Sequence, residues 1–330
     1  MAPRNSSSPA STDVRTRPLG GSGLMVSEIG FGTWAIGGSR HGTLGYGRTD
    51  DAESIAALQL ARTLGCTLFD TANLYGWGHA ESLLGEAFAD CRDEIVLATK
   101  AGYTTPDGGQ DFSAEAVRRS VEGSLTRLGT GYVDLLQLHN PSVDALAGNE
   151  ALFAALDAMT REGLIRAFGI SARTPDDALL FATRYAPASL QINFNLADAR
   201  ARRNGLFDLC RGRGIAIVVR TPLAAGFLTG QLAAGEAFAA DDHRSRYDDT
   251  IRGQWIDAVR RLAPVFDDGT NATAAQNAIR YCLSFDAVSA VIPGMMRESD
   301  VREDLASSAL PPLDAAQLEA IDAIYDEVFG

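Results

Sequence analysis

Short apolar runs alternate along the chain with longer segments whose apolar residues recur at helical spacing. The runs predict strands over 67–70, 95–100, 132–138, 166–171, 189–193, 215–221 and 287–293. The periodic segments predict helices over 51–64, 80–89, 113–128, 144–162, 175–184 and 200–213. Further helices are expected near 251–263 and over 271–284, 298–308 and 313–328, the last packed on the outside. In helix 51–64 the apolar face is marked by Ile55, Leu58, Ala61 and Leu64. The run 215–221 is almost continuously apolar, as a strand covered on both faces of a parallel sheet must be. Repeated βα units in this order predict an α/β fold of the (β/α)8 barrel type. An open doubly wound sheet fits less well, because no GxGxxG follows a first strand.

The strand ends carry the chemistry. The run Thr67-Leu68-Phe69 stops at Asp70, where a carboxylate is costly unless paired. Five residues on, Tyr75 lies in the Gly-bounded loop Tyr75-Gly76-Trp77-Gly78. On its own this stretch is open to two readings, a capping Asp with a surface Tyr or a pair of chemical groups. Two further strand ends tip the balance. The run from Ile95 ends on Lys100, and the run from Tyr132 ends on His139. In a parallel barrel such ends gather on one face, where catalytic groups collect. Lys100 is also the one lysine of the chain. A drift towards arginine explains the depletion, but not the single exception at the end of a buried strand.

These residues carry a resemblance. Phe69-Asp-Thr-Ala-Asn-Leu-Tyr-Gly76 with Glu81 and Gly85, Thr99-Lys100, Asp134-Leu-Leu-Gln-Leu-His139 and Gly163-Leu-Ile-Arg-Ala-Phe-Gly-Ile-Ser171 together resemble the aldo-keto reductase family. The resemblance runs from about Arg17 to Leu305. It implies that the Gly-rich turn within 17–29 belongs to a β-hairpin closing the bottom of the barrel, and that Ile29–Trp34 is the first barrel strand. The loops 35–50 (with His41 and Tyr46), 103–112 and 223–250 are then the candidate substrate loops.

The resemblance further implies carbonyl reduction, with Tyr75 as general acid, Lys100 and Asp70 as the pair that tunes it, and His139 as a donor orienting the substrate oxygen. The residue types suit that chemistry. A tyrosine has a pKa near 10 in water, and an adjacent ammonium is expected to lower it. A buried lysine tends to neutralise unless a carboxylate holds it charged. By itself, His139 would read as a core histidine at a strand end.

Hydride transfer needs a nicotinamide, and the resemblance implies NADPH as the family default. The implied contacts begin with Gly32, Thr33 and Trp34 at the end of the first strand. Ser171 and Gln191 match the family's carboxamide-binding positions, while Ala172 stands where an Asn is usual. The stretch Arg220–Gly230 resembles the family's cofactor belt, giving Arg220, Pro222, Leu223, Gly226, Leu228 and Gly230. Arg220 stands where an aromatic residue often stacks on the nicotinamide; it either stacks in its place or turns away to pair with an acid. The stretch Ile292–Asp304 resembles the segment that grips the adenosine phosphate, giving Gly294, Arg297, Asp300 and Asp304. Asp300 stands where many relatives carry Arg or Gln, and Asp304 where they usually carry Asn. Arg297 could meet a 2′-phosphate and the acid at 300 opposes it, so NADH use is a real alternative.

Composition sets the bounds. The 330 residues fit one barrel of about 250 residues with added loops, expected over 17–330. Residues 1–16 are rich in Ser, Pro, Arg and Thr, lack an apolar core, and are expected to be a disordered tail rather than a secretion signal. A formal net charge of −13 argues against nucleic acid as a partner. No apolar run approaches the roughly 20 residues of a membrane span. Cys66, Cys91, Cys210 and Cys282 form no CxxC motif and are expected to be reduced thiols in a cytoplasmic protein. The histidines are too scattered for a zinc site, so no metal is expected. The partner is then a small carbonyl compound. Two other readings remain: a cofactor-binding regulatory protein on the same fold, like the channel-associated members of the family, and a sugar or polyol dehydrogenase running in the oxidative direction.

Overall fold

The computed structural model describes residues 14–43, 45–233 and 235–330. An antiparallel hairpin, β1 (Thr16–Pro18) and β2 (Met25–Ser27), precedes eight parallel strands. These are β3 (Phe31–Gly32), β4 (Leu68–Asp70), β5 (Val96–Ala101), β6 (Val133–His139), β7 (Ile165–Ser171), β8 (Ser189–Asn193), β9 (Ala216–Arg220) and β10 (Val288–Ile292). They lie side by side in chain order. Bridges of Ile29 to Val291 and Gly32 to Gly294 join the first strand to the last, which closes the barrel. Glycine is required at that seam. A Cβ on Gly30 would lie 2.9 Å from the Leu68 carbonyl oxygen, and one on Gly32 would lie 2.8 Å from that of Ile292.

The helices are α1 (Trp34–Gly37), α2 (Asp51–Thr63), α3 (His79–Ala87), α4 (Ala114–Leu128), α5 (Val143–Leu146), α6 (Glu150–Arg161) and α7 (Pro175–Arg184). They continue with α8 (Arg200–Arg203), α9 (Leu206–Arg213), α10 (Asp249–Leu262), α11 (Ala274–Leu283), α12 (Glu298–Ala306) and α13 (Ala315–Phe329). Most start on a side-chain cap: Asp50 accepts from Glu53 N, Ser113 from Ala116 N and Thr174 from Asp177 N. Late in the chain, α13 packs on α10, outside the βα repeat. No described helix is long and apolar enough to cross a membrane.

Strand alternation sorts the side chains into two cores. Leu68, Val96, Ala98, Leu135, Ala216, Val218, Ala290 and Ile292 point into the barrel, where Leu19, Leu24 and Val26 of the hairpin region meet them and plug its lower end. Phe69, Leu97, Leu136, Leu190, Ile217 and Val291 point outward against helix residues such as Leu58, Leu84, Val121, Leu156 and Phe181. Each such fully buried side chain stabilises the fold by about 1.5–3 kcal/mol relative to exposure. The same parity decides the site. Two residues beyond an inward Leu68, Ala98, Leu135 or Val218 come Asp70, Lys100, Gln137 and Arg220, and His139 follows two beyond Gln137.

Several expectations are corrected. The helix expected over 144–162 is two helices, broken where Gly148 takes φ 68° and Asn149 caps a new start by accepting from Leu152 N. The one expected over 200–213 breaks at Gly205, with φ 86°. The first barrel strand is only two residues long, and α1 occupies the start of the expected loop 35–50. Residues 14–16, expected in a disordered tail, are ordered. Val14 is buried, Arg15 pairs with the buried Glu28, and Thr16 opens β1. Residues 1–13 lie outside the described residues.

Candidate active site

Asp70, His139, Ser171 and Arg220 are the last residues of β4, β6, β7 and β9; Lys100 is the last but one of β5, and Gln191 lies in β8. Register brings them level: Lys100 is opposite Gln137, His139 opposite Ser171, and Ser171 opposite Gln191. Tyr75 comes from the loop between β4 and α3. That loop turns through Gly76 at φ 59°, where a Cβ would collide with the Gly37 carbonyl.

Lys100 is fully buried, and its ammonium uses all three donors. It donates to Asp70 Oδ2 at 2.5 Å, to the Thr71 carbonyl at 2.8 Å and to Tyr75 Oη at 3.0 Å. The other Asp70 oxygen accepts from Gln137 Nε2 at 2.8 Å and Gln191 Nε2 at 2.7 Å. Burial works against the Lys100 charge, but Asp70 and Tyr75 outweigh it, and the lysine holds its proton above its ordinary range. The Tyr75 phenol departs from expectation. Burial raises its pKa more than Lys100 lowers it, so the net shift is upward.

His139 is buried, and burial, Lys100 and Arg220 together push its pKa well below 6.5. The ring is therefore neutral and stands edge-on to Tyr75 and Tyr103, with centroids at 6.0 Å and 4.8 Å. Its Nδ1 is a buried atom with no hydrogen-bond partner among the described residues. Among the described residues Arg220 meets no acid. It donates to Asn193 Oδ1 at 2.8 Å, Asn140 Oδ1 at 3.0 Å, Ser171 Oγ at 2.8 Å and the Ala172 carbonyl at 2.8 Å. The expected alternative of an Arg220 salt bridge is thus not found, and every acceptor around this cation is neutral.

Tyr46, Tyr103 and His243 line the cavity over these groups from the three loops expected to meet the substrate, and Asn140 and Gln137 also belong to the site, where sequence reasoning did not place them. Both had a signal. Gln137 shares the inward face with His139 by strand parity, and Asn140 stands between that histidine and Pro141, a turn-forming pair. Asn140 indeed takes a left-handed φ of 52°. Which aromatic residues of these loops pack together had no signal, because they meet across loops. Trp34 packs on Tyr46 at 5.0 Å, on His243 at 4.7 Å and on Tyr75 at 6.4 Å. Two distant loops are tied there by a Gly45–Asp242 bridge, with His243 N donating to the Gly45 carbonyl at 2.9 Å.

One cavity of about 1020 Å³ opens over these groups. Asp70, Tyr75 and His139 line it, as do Gly32, Thr33 and Trp34. Gln191, Arg220, Pro222, Leu223, Gly226, Gly294, Arg297, Asp300 and Asp304 line it too. Lys100, Ser171, Leu228 and Gly230 do not line it directly; Leu228 is packed in the core. A volume at the top of the usual small-molecule range has room for an extended cofactor and a substrate together. Its belt is strained. Thr221, Ala224 and Ala225 all take left-handed φ, of 55°, 44° and 57°. Such non-glycine outliers cost about 1–3 kcal/mol each and cluster at ligand clamps.

Comparison with known proteins bears on the family and the fold. The sequence profile of the Aldo/keto reductase family matches residues 28–326. An NADH-specific methylglyoxal reductase of Escherichia coli is 34% identical, over 65% of this chain and 69% of its own. A probable voltage-gated potassium channel subunit beta of Oryza sativa is 30% identical, over 94% of this chain and 96% of its own. The holo form of the aldo-keto reductase AKR11C1 from Bacillus halodurans superposes with a TM-score of 0.78 at 28% identity, covering 94% of this chain and 96% of that one. With a closed barrel, Asp70, Lys100 and His139 at three successive strand ends and a profile match over nearly its whole length, the chain belongs to the aldo-keto reductase family.

Proposed function

We propose that this protein is an NAD(P)H-dependent oxidoreductase that reduces an aldehyde, ketone or sugar carbonyl to the alcohol, with Tyr75 as the proton donor. One observation carries the reading. The Tyr75 hydroxyl lies 3.0 Å from an ammonium that Asp70 keeps charged, in a cavity it shares with a neutral His139.

The residues along the cavity suit a nicotinamide dinucleotide. Gln191 and Arg220, the latter positioned by Ser171, would hold its nicotinamide end, the strained belt from Pro222 to Gly226 its middle, and Gly294 to Asp304 its adenosine end. When bound in reduced form, it supplies the hydride for the carbonyl carbon. Tyr75 gives its proton to the carbonyl oxygen. Because burial keeps that proton on the phenol at neutral pH, the acid form is the resting form. The phenolate left after transfer is stabilised by Lys100, which is already in place and needs no reorganisation. Asp70 in turn keeps Lys100 charged, and Gln137 and Gln191 fix Asp70. A neutral His139 offers a single ring N–H to orient the substrate oxygen without competing as an acid.

Turnover of 4-nitrobenzaldehyde with NADH or NADPH tests the reading directly. Consumption of the reduced cofactor with formation of the alcohol is expected. The likeness to a channel subunit keeps a second reading open, a cofactor-binding regulatory protein. Tight cofactor binding without turnover of any carbonyl would favour it. Oxidation of sugars or polyols would use the same groups in reverse.

A further inference from the structure

We propose that the adenosine end of the cavity selects NADH over NADPH, because Asp300 already supplies the anion that the start of α12 would otherwise take from a 2′-phosphate. The inference rests on the reading of this cavity as a nicotinamide dinucleotide site.

A helix start offers unpaired N–H groups and a partial positive charge, and phosphates settle there. Here a carboxylate already occupies the approach to the helix. The backbone N–H groups of Met296 and Arg297 each donate to Asp300 Oδ2 at 3.1 Å. Asp300 lies in the first turn of the same helix, so its carboxylate returns to this position without an association cost. A phosphate group would have to displace it and then sit beside it, like charge against like.

The rest of the wall adds to the cost. Of the cavity-lining residues between Ile292 and Asp304, three are acids, Asp300, Glu303 and Asp304, and Arg297 is the one cation. Arg297 is exposed, so its pull on an anion is screened by water and salt. Asp304 is buried, and its carboxyl makes no hydrogen bond to any described residue. Burial, with Glu303 and Asp300 beside it, raises its proton affinity, so the charge that opposes a phosphate on this wall is that of Asp300 and Glu303. A ribose 2′-hydroxyl meets none of these costs. It is a donor, and Asp300 Oδ1, whose one other contact is the Ser299 hydroxyl at 3.4 Å, has acceptor capacity to spare. Acids that accept from a 2′-hydroxyl and arginines that receive a 2′-phosphate are the general division between NAD and NADP sites.

Calorimetric titration of the full chain with NADH, NADPH, 5′-AMP and 2′,5′-ADP tests this, since binding is read without turnover. NADH is expected to bind at least about tenfold more tightly than NADPH, the size of one charge-assisted contact, with 5′-AMP preferred over 2′,5′-ADP in the same sense. Asp300→Ala frees both N–H groups and should bring NADPH level with NADH or ahead of it. Asp300→Asn keeps an acceptor at the cap but removes the charge, so it should narrow the gap even if the alanine variant folds poorly. Wild-type protein that binds NADPH as tightly as NADH overturns the inference and leaves the proposed oxidoreductase standing. So does a ratio unchanged in both variants. If neither dinucleotide binds, the proposed function falls and this inference falls with it.

Discussion

Asp70 Oδ2 and Lys100 Nζ lie 2.5 Å apart, with 2% and none of the two residues exposed. A pair so completely removed from water is costly to form and far more costly to break, because either partner alone is a buried charge.

Lys100→Met should therefore lower stability by about 3 kcal/mol or more, as well as crippling turnover. Asp70→Asn combined with Lys100→Met removes both charges and should melt higher than the single variant. Thermal melts of the three proteins check this, and a single variant that melts no lower than the double contradicts it. The pair also has a pH signature. Below pH 10.5 both folded and unfolded chains keep this proton, and the stabilisation is complete. At higher pH the unfolded chain loses it first, so the stabilisation is lost as pH rises through the folded value.

His139 gives the opposite slope. In the unfolded chain an imidazole takes up a proton below about pH 6.5, whereas the buried ring does not. The unfolded state then binds more protons, and stability falls as the pH drops below 6.5. One such group costs about 1 kcal/mol between pH 6.5 and 5.5. Denaturant titrations of wild type and His139→Gln should diverge by that amount over this interval, the variant losing less. Parallel losses would mean that His139 is protonated in the folded protein.

Arg220 places a half-buried positive charge, with only neutral acceptors among the described residues, beside the proposed nicotinamide end. An oxidised nicotinamide is cationic and a reduced one is neutral, so Arg220 should favour the reduced form in this poorly hydrated place. Arg220→Tyr keeps a flat surface and removes the charge. The oxidised cofactor should gain about tenfold in affinity relative to the reduced one. Dissociation constants of both forms, measured by calorimetry for both proteins, decide it. An unchanged ratio would show that Arg220 does not feel the ring.

The barrel was legible because its signals are local and repeat. An apolar run followed by a periodic one needs no knowledge of distant partners, and strand parity then carries Asp70, Lys100 and His139 to one face. The helix breaks at Gly148 and Gly205 were overridden by strong flanking periodicity, although Asn149 is a legible cap. What stayed hidden depends on residues far apart in the chain. Whether Arg220 meets an acid or Ser171, Asn140 and Asn193 is decided by three other strand ends. The packing of His243 on Trp34 depends on two loops meeting across the barrel mouth. The direction of the Tyr75 shift was misjudged for a related reason. Lys100 could be placed beside it from the sequence, but the extent of its burial could not.

The central claim is that Tyr75 supplies the proton. Tyr75→Phe removes one oxygen atom, the one 3.0 Å from Lys100 Nζ, and leaves the ring against Trp34 and His139. Reduction of 4-nitrobenzaldehyde should fall by about 10²–10⁴-fold in kcat, the usual worth of a positioned general acid. Cofactor affinity, measured by titration on the same sample, should stay within about twofold of wild type, a difference well under 1 kcal/mol. Loss of turnover with binding intact is the predicted result. Wild-type-like turnover in Tyr75→Phe would contradict the assignment.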